Sequence, residues 1–165
     1  MKTWSADLAD AHSLLQEVVP VVMAEFAARR APQFLRITRV WGSQLVQDAL
    51  WAQGRTVLGI VNNLRRNVVL PPLTEEQNRR AVTWTRQSMH TRKPSLAVDF
   101  VVSVDPDGPE GPLKPTITYE DEEAYLALGT IAERHGLVWG GRFPKYDGAH
   151  VQLPRDLSTV LRRAA

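Results

Sequence analysis

A chain of 165 residues and 18.5 kDa has the size of one domain and is long enough to bury a substantial core. A hydrophobic content of 44% beside 23% charged residues excludes a chain disordered throughout, and the absence of cysteine excludes disulfides and thiolate metal sites, leaving His, Asp and Glu as metal ligands. The net charge of +2 is too small to argue for nucleic acid, and there is no apolar run of about 18 residues to span a membrane.

The opening Met1-Lys2-Thr3-Trp4-Ser5 leads to Asp7 and Asp10 without an apolar region or a small-residue cleavage site. The expectation is a protein kept in the cytoplasm until something else releases it. Charge is unevenly spread: Arg79, Arg80, Arg86, Arg92 and Lys93 follow one another without an acid, whereas the acids between Asp105 and Glu123 face only Lys114. Such a basic stretch is either a solvated face or a surface that attracts anionic groups.

Over residues 8–30 the apolar positions Leu8, Ala11, Leu14, Leu15, Val18, Val22 and Phe26 recur mostly three or four apart, the period of an amphipathic helix, which Pro20 is expected to kink or split. Residues 34–41 alternate like a short strand. Ser43 is placed to cap a helix ending near Ala52, with Gly54 as its stop. Residues 55–74 give no clear pattern, and Thr74-Glu75-Glu76-Gln77 resembles a helix start. The strongest strand covers residues 96–104, apolar and β-branched except for Asp99, whose carboxylate must be paired or ligated if buried. A Pro/Gly-rich loop at 106–115 precedes a helix with Glu120 to Glu123 at its start and Arg134, His135 and Gly136 at its end; Leu126, Ala127 and Ile131 are expected to face the core. Strands are expected at 137–143 and 150–153, and a short helix capped by Asp156 at 156–163. The chain reads as one domain over 1–165, a helical part over about 1–32 followed by a motif-bearing core over about 33–155, of α+β class with a small antiparallel sheet flanked by helices.

Hydrolysis at a zinc site needs three protein ligands, an open position, and a carboxylate to take the proton of water. His90 precedes the long strand, Asp99 lies on it, and His150 opens the last strand, so neighbouring strands can bring the three together. Asp147, three residues before His150 across a Gly-Ala turn, is spaced to stand beside the metal as a general base. His12 and His135 are better explained by helix ends.

The stretches Ser88-Met89-His90 with Ala97-Val98-Asp99, and Trp139-Gly140-Gly141 with Asp147-Gly148-Ala149-His150-Val151-Gln152-Leu153, resemble the S-x-H…A-V-D and W-G-G…D-x-x-H-x-x-L signatures of VanY-like D-alanyl-D-alanine carboxypeptidases and phage endolysins, a family of zinc peptidases. Ala49-Leu50-Trp51-Ala52-Gln53-Gly54-Arg55-Thr56 is similar to the L-Y-A-Q-G-R-T segment of the phage L-alanyl-D-glutamate endopeptidase branch. The resemblance covers about residues 37–153. It implies a Hedgehog/DD-peptidase fold, a single catalytic domain with one Zn²⁺, His90, Asp99 and His150 as ligands, Asp147 as catalytic base, and bacterial peptidoglycan as partner of a monomeric enzyme.

Two departures stand out. The family spaces its Asp seven residues after the first His, whereas Asp99 follows His90 by nine, and Arg92-Lys93-Pro94-Ser95 fills the gap. Where the family has an arginine before the serine of Trp41-Gly42-Ser43, this chain has Gly42, which leaves Arg39, Arg55 or Arg86, with Ser88 as a further donor, to hold a substrate carboxylate or oxyanion. Trp139 is a further candidate for substrate contact, or simply a packed aromatic beside a tight turn. Three functions follow as expectations: a stem-peptide endopeptidase of the endolysin kind, a D,D-carboxypeptidase or dipeptidase of the same chemistry, and a non-catalytic wall-binding or phage structural relative.

Overall fold

The strand β4, Ala97–Val104, is the axis of the protein, and its apolar, β-branched residues are buried on both faces. A computed structural model describes residues 2–104, 116–118 and 120–156. In chain order it contains β1 (Trp4–Ser5), α1 (Ser13–Arg30), β2 (Gln33–Arg39), β3 (Trp41–Gly42), α2 (Gln44–Ala52), α3 (Leu58–Asn67), β4, β5 (Thr116–Thr118), α4 (Glu122–Arg134), β6 (Val138–Trp139) and β7 (His150–Gln152). The loop expected at 106–115 and the tail helix expected beyond Asp156 lie outside the described residues.

All pairings between the described strands are antiparallel. Along one edge β4 pairs with β2; along the other its first half pairs with β7, which pairs with β6, and its second half pairs with β5. A separate two-stranded pair joins β1 to β3. Helices and small antiparallel sheets together make an α+β protein.

The helices α1 and α4 cover the sheet. Leu15, Val19, Val22 and Phe26 of α1 meet Phe100 and Val102 of β4 and Leu128, Ile131 and Ala132 of α4 in one continuous core. Truncating a fully buried phenylalanine such as Phe26 costs about 3–5 kcal/mol in such settings. The Glu25 carboxylate links the two helices, accepting from Arg134 and lying 3.0 Å from Nε2 of His135. Those partners hold Glu25 below the usual carboxylate range, with the His135 hydrogen bond as the largest influence.

Of the two outcomes expected at Pro20, a split does not occur: α1 runs unbroken for 18 residues. Pro20 lies on the solvent face, where the carbonyl it leaves without an amide partner can reach water. Leu126 is 50% exposed rather than a core residue; the inner face of α4 is formed by Ala124, Tyr125, Leu128, Ile131 and Ala132. Ser43 caps α2 through a 3.4 Å bond from the Val46 amide, and Gly54 follows with a φ of +75°. The segment without a clear pattern holds α3, and the helix start expected at Thr74 is a single 3-10 turn at Gln77–Arg79. Among the described residues, no helix is long and apolar enough to cross a membrane.

Candidate metal centre

Register brings the chemistry together. Asp99 of β4 stands opposite His150 of β7 on one side and Arg39 of β2 on the other, so the three side chains emerge on one face of the sheet. His90 reaches this row from a 3-10 turn, Met89–Thr91, whose N-cap Ser88 accepts from the His90 amide at 3.3 Å.

Asp99 Oδ1 lies 3.0 Å from His90 Nε2 and 2.8 Å from His150 Nδ1, and the two ring nitrogens are 3.3 Å apart. The far side of each ring is already engaged. His90 Nδ1 is 2.6 Å from the Val40 carbonyl, and His150 Nε2 is 3.0 Å from Oε1 of Gln152; each must carry a proton to donate to its oxygen acceptor. That tautomer turns two lone pairs, together with the Asp99 carboxylate, toward one point. Three acceptors at such distances repel one another unless a cation or protons lie among them. The group therefore fits a divalent metal by its donor chemistry as well as by its spacing, all three ligand atoms lying within 4.8 Å of one another.

Both histidines are almost fully buried, 2% and 7% exposed. Burial works to raise the Asp99 carboxyl, but the facing His90 and His150 outweigh it and hold Asp99 well below the usual carboxylate range. Burial works to lower His150, yet its bond to Asp99, supported by Gln152, raises it overall. A proton and a metal ion thus compete for the same lone pair.

The extra residues between His90 and Asp99 are absorbed without displacing His90. Ser95, fully buried, donates to the Val40 carbonyl at 2.6 Å, the same oxygen that receives His90 Nδ1, while the Leu96 amide bonds back to Met89. The loop is also tied to the N-terminus, since the His12 amide donates to Ser95 and the Ser95 amide to Asp10.

Beyond this group opens a cleft of about 770 Å³ whose walls include Ser88, His90, Asp99, Asp147, His150 and Arg39, with Trp84 and Tyr146 more than half exposed at its lip. Asp147 is exposed on the cleft wall, and partial desolvation there, followed by the Asp99 charge, pushes its carboxyl above the ordinary value. Its backbone is held by the turn: the Asp147 amide donates to Gly140 and the His150 amide to Asp147. A Cβ on Gly140 would lie 2.4 Å from the Asp147 carbonyl oxygen and 2.9 Å from His150 Cβ, so only glycine permits this approach.

The structure does not bring every sequence candidate into the cleft. Arg55 stacks 3.8 Å above Trp51 and donates to the Trp51 and Thr83 carbonyls; Arg86 pairs with Asp48 at 2.9 Å. Both tie the segment carrying Trp84 to α2, and neither lines the cleft. Trp139 is buried, its indole N–H donating to the Gly148 carbonyl at 2.8 Å, and it braces the turn between Asp147 and His150 from behind. Ser88 does line the cleft, with its hydroxyl engaged by the His90 amide. Sequence reasoning did not find Gln152 as a partner of the metal group, although its place two residues along the strand from His150 puts both on one face.

Residues 81–153 match the model of a family described as D-alanyl-D-alanine carboxypeptidase. The matched segment contains His90, Asp99, Asp147 and His150. A search of curated proteins gave no match.

Proposed function

We infer that the chain is a zinc-dependent peptidase of the Hedgehog/DD-peptidase fold that hydrolyses a stem-peptide bond of bacterial peptidoglycan, as an endopeptidase of the phage or prophage endolysin kind. The observation that carries this reading is the convergence of three acceptor atoms, from His90, Asp99 and His150, on one point within the segment matched to the peptidase family. The similarity of residues 49–56 to the phage endopeptidase segment favours the endolysin branch.

His90 Nε2, Asp99 Oδ1 and His150 Nδ1 would hold the ion, oriented by Val40 and Gln152. Zinc held there would supply Lewis acidity, lowering the pKa of water toward about 7 and polarising the scissile carbonyl. Asp147 takes the proton of the attacking water and delivers it to the leaving amine. Its raised affinity for a proton suits a group that must hold one between those two steps. Backbone hydrogen bonds, from the Asp147 amide to the Gly140 carbonyl and from the His150 amide to the Asp147 carbonyl, keep it at the cleft wall during the exchange.

The test is mass spectrometry of fragments released from purified peptidoglycan, with and without a chelator and with zinc added back. Release that stops with chelator and returns with zinc is expected, and the new termini name the bond. A second reading, a D,D-carboxypeptidase, is favoured by the description of the matched family; it predicts release of a single terminal residue rather than cleavage within the stem. Folded, zinc-loaded protein that binds walls but releases nothing would overturn both in favour of a binding module.

A further inference from the structure

The carbonyl oxygen of Val40 is shared by two donors. His90 Nδ1 approaches it to 2.6 Å, and so does the hydroxyl of Ser95, a fully buried residue. That hydroxyl carries one proton and also lies 2.9 Å from the Ala97 carbonyl. A proton given to Ala97 would leave two bare oxygens 2.6 Å apart, so it goes to Val40. The hydroxyl oxygen in turn accepts from the Ala97 amide at 3.3 Å, at the start of β4 and two residues before Asp99. One side chain thus joins the peptide that orients His90 to the strand that carries Asp99.

Both ends of this link are mounted on the same short stretch of chain. The Val40 amide donates to the Ser5 carbonyl at 2.7 Å, the Ser95 amide to the Asp10 carbonyl at 2.9 Å, and the His12 amide to the Ser95 carbonyl at 2.8 Å. Ala11 forms an isolated parallel bridge with Ser95, and both Ser5 and Ala11 are buried. The stretch supplies no member of the metal group, and none of its residues lines the cleft. Its hydrogen bonds fall instead on the two residues that fix His90. Asp99 follows His90 by nine residues, and a longer loop has more freedom to lose when its ends are brought together. Anchoring that loop in advance removes part of the ordering cost from metal binding.

We propose that Ser95 is a positioning residue for the metal centre and that residues 5–12 are the clasp that sets it, so that metal affinity and docking of the N-terminal stretch are coupled. The proposal rests on the metal-binding part of the proposed function and is independent of which bond is cut. Ser95 acts through the Val40 carbonyl on the direction of His90 Nε2, and through the Ala97 amide on the start of β4. By linkage, a metal that favours the assembled site favours the docked stretch by the same factor.

Two sets of measurements test it, and neither needs turnover. Zinc affinity, measured by competition with a chromogenic chelator, is expected to fall about 10- to 100-fold in Ser95→Ala, as when a partner that orients a metal-bound histidine is lost. Cobalt(II), whose visible absorption follows the directions of its ligands, is expected to give an altered spectrum in that variant. Val22→Ala, at a core position that does not line the cleft, controls for lost stability and is expected to keep the parental affinity and spectrum. In the unaltered protein, amide hydrogen exchange is followed by NMR with and without zinc. Zinc is expected to slow local exchange at His12, Val40 and Ser95 by about 10-fold or more, and to leave the Gly136 amide at the end of α4 at its own rate. This second measurement decides the matter where Ser95→Ala does not fold. Parental affinity and cobalt spectrum in Ser95→Ala, or exchange at His12 and Ser95 that ignores zinc, would overturn the proposal. A parent that takes up no zinc would overturn it together with the metal reading, whereas zinc coupling in a protein that cleaves no stem peptide would support it and count against the peptidase reading.

Discussion

Oε1 of Gln152 lies 3.0 Å from Nε2 of His150, two residues away on the same face of β7. This contact sets which nitrogen of His150 carries the proton and turns the other toward Asp99. Gln152→Ala removes the acceptor while leaving every ligand in place. Zinc affinity is expected to fall about 10- to 100-fold, as when the oriented partner of a metal-bound histidine is lost, and competition with a chromogenic chelator measures it. An unchanged far-UV circular dichroism spectrum distinguishes this effect from unfolding.

Gly140→Ala tests whether the turn that carries Asp147 depends on close backbone approach. The added methyl meets backbone oxygen rather than a yielding side chain, so the turn must move. A destabilisation of about 1–3 kcal/mol in urea unfolding is expected, in the range of overpacked sites, together with loss of turnover at saturating zinc.

Asp121 caps α4, its Oδ1 accepting from the Ala124 amide at 2.9 Å. That bond, then the one from Gln33, holds its carboxyl below the ordinary value of 3.8. Asp121→Ala is expected to cost about 1 kcal/mol at pH 7. Because the folded-state value is depressed, the ionised cap contributes stability above the ordinary value and loses it as the pH falls through the lower one. The difference between mutant and parent is therefore expected to be the same at pH 7 and pH 5 and to narrow below 3.8, as measured by denaturant unfolding across pH.

The parts of this account that were legible in the sequence are those written in local pattern. The buried strand around Asp99, the Ser43 cap and the acidic start of α4 follow from residue type and spacing. The structure places His90, Asp99 and His150 together because Asp99 and His150 are paired in register, a relation that spacing only permits. The sequence pattern does not mark helix α3, which buries only Val61 and Arg65, contains Gly59, and is held from outside. Arg65 Nε donates to the Pro71 carbonyl at 2.6 Å, and Asn62 exchanges hydrogen bonds with the backbone of Leu73. Nor does the sequence show which of Arg39, Arg55 and Arg86 lines the cleft, since that depends on a register shift in β2 between Ile37 and Arg39.

The central claim is that His90, Asp99 and His150 hold the metal and Asp147 serves it without binding it. The most direct measurement is zinc stoichiometry and stem-peptide turnover on the same preparations of the parent, His150→Ala and Asp147→Asn proteins. One zinc per chain is expected in the parent and in Asp147→Asn, with turnover in the latter reduced by about 10²- to 10⁴-fold, and neither zinc nor turnover in His150→Ala. A His150→Ala protein that keeps both its zinc and its turnover would contradict it.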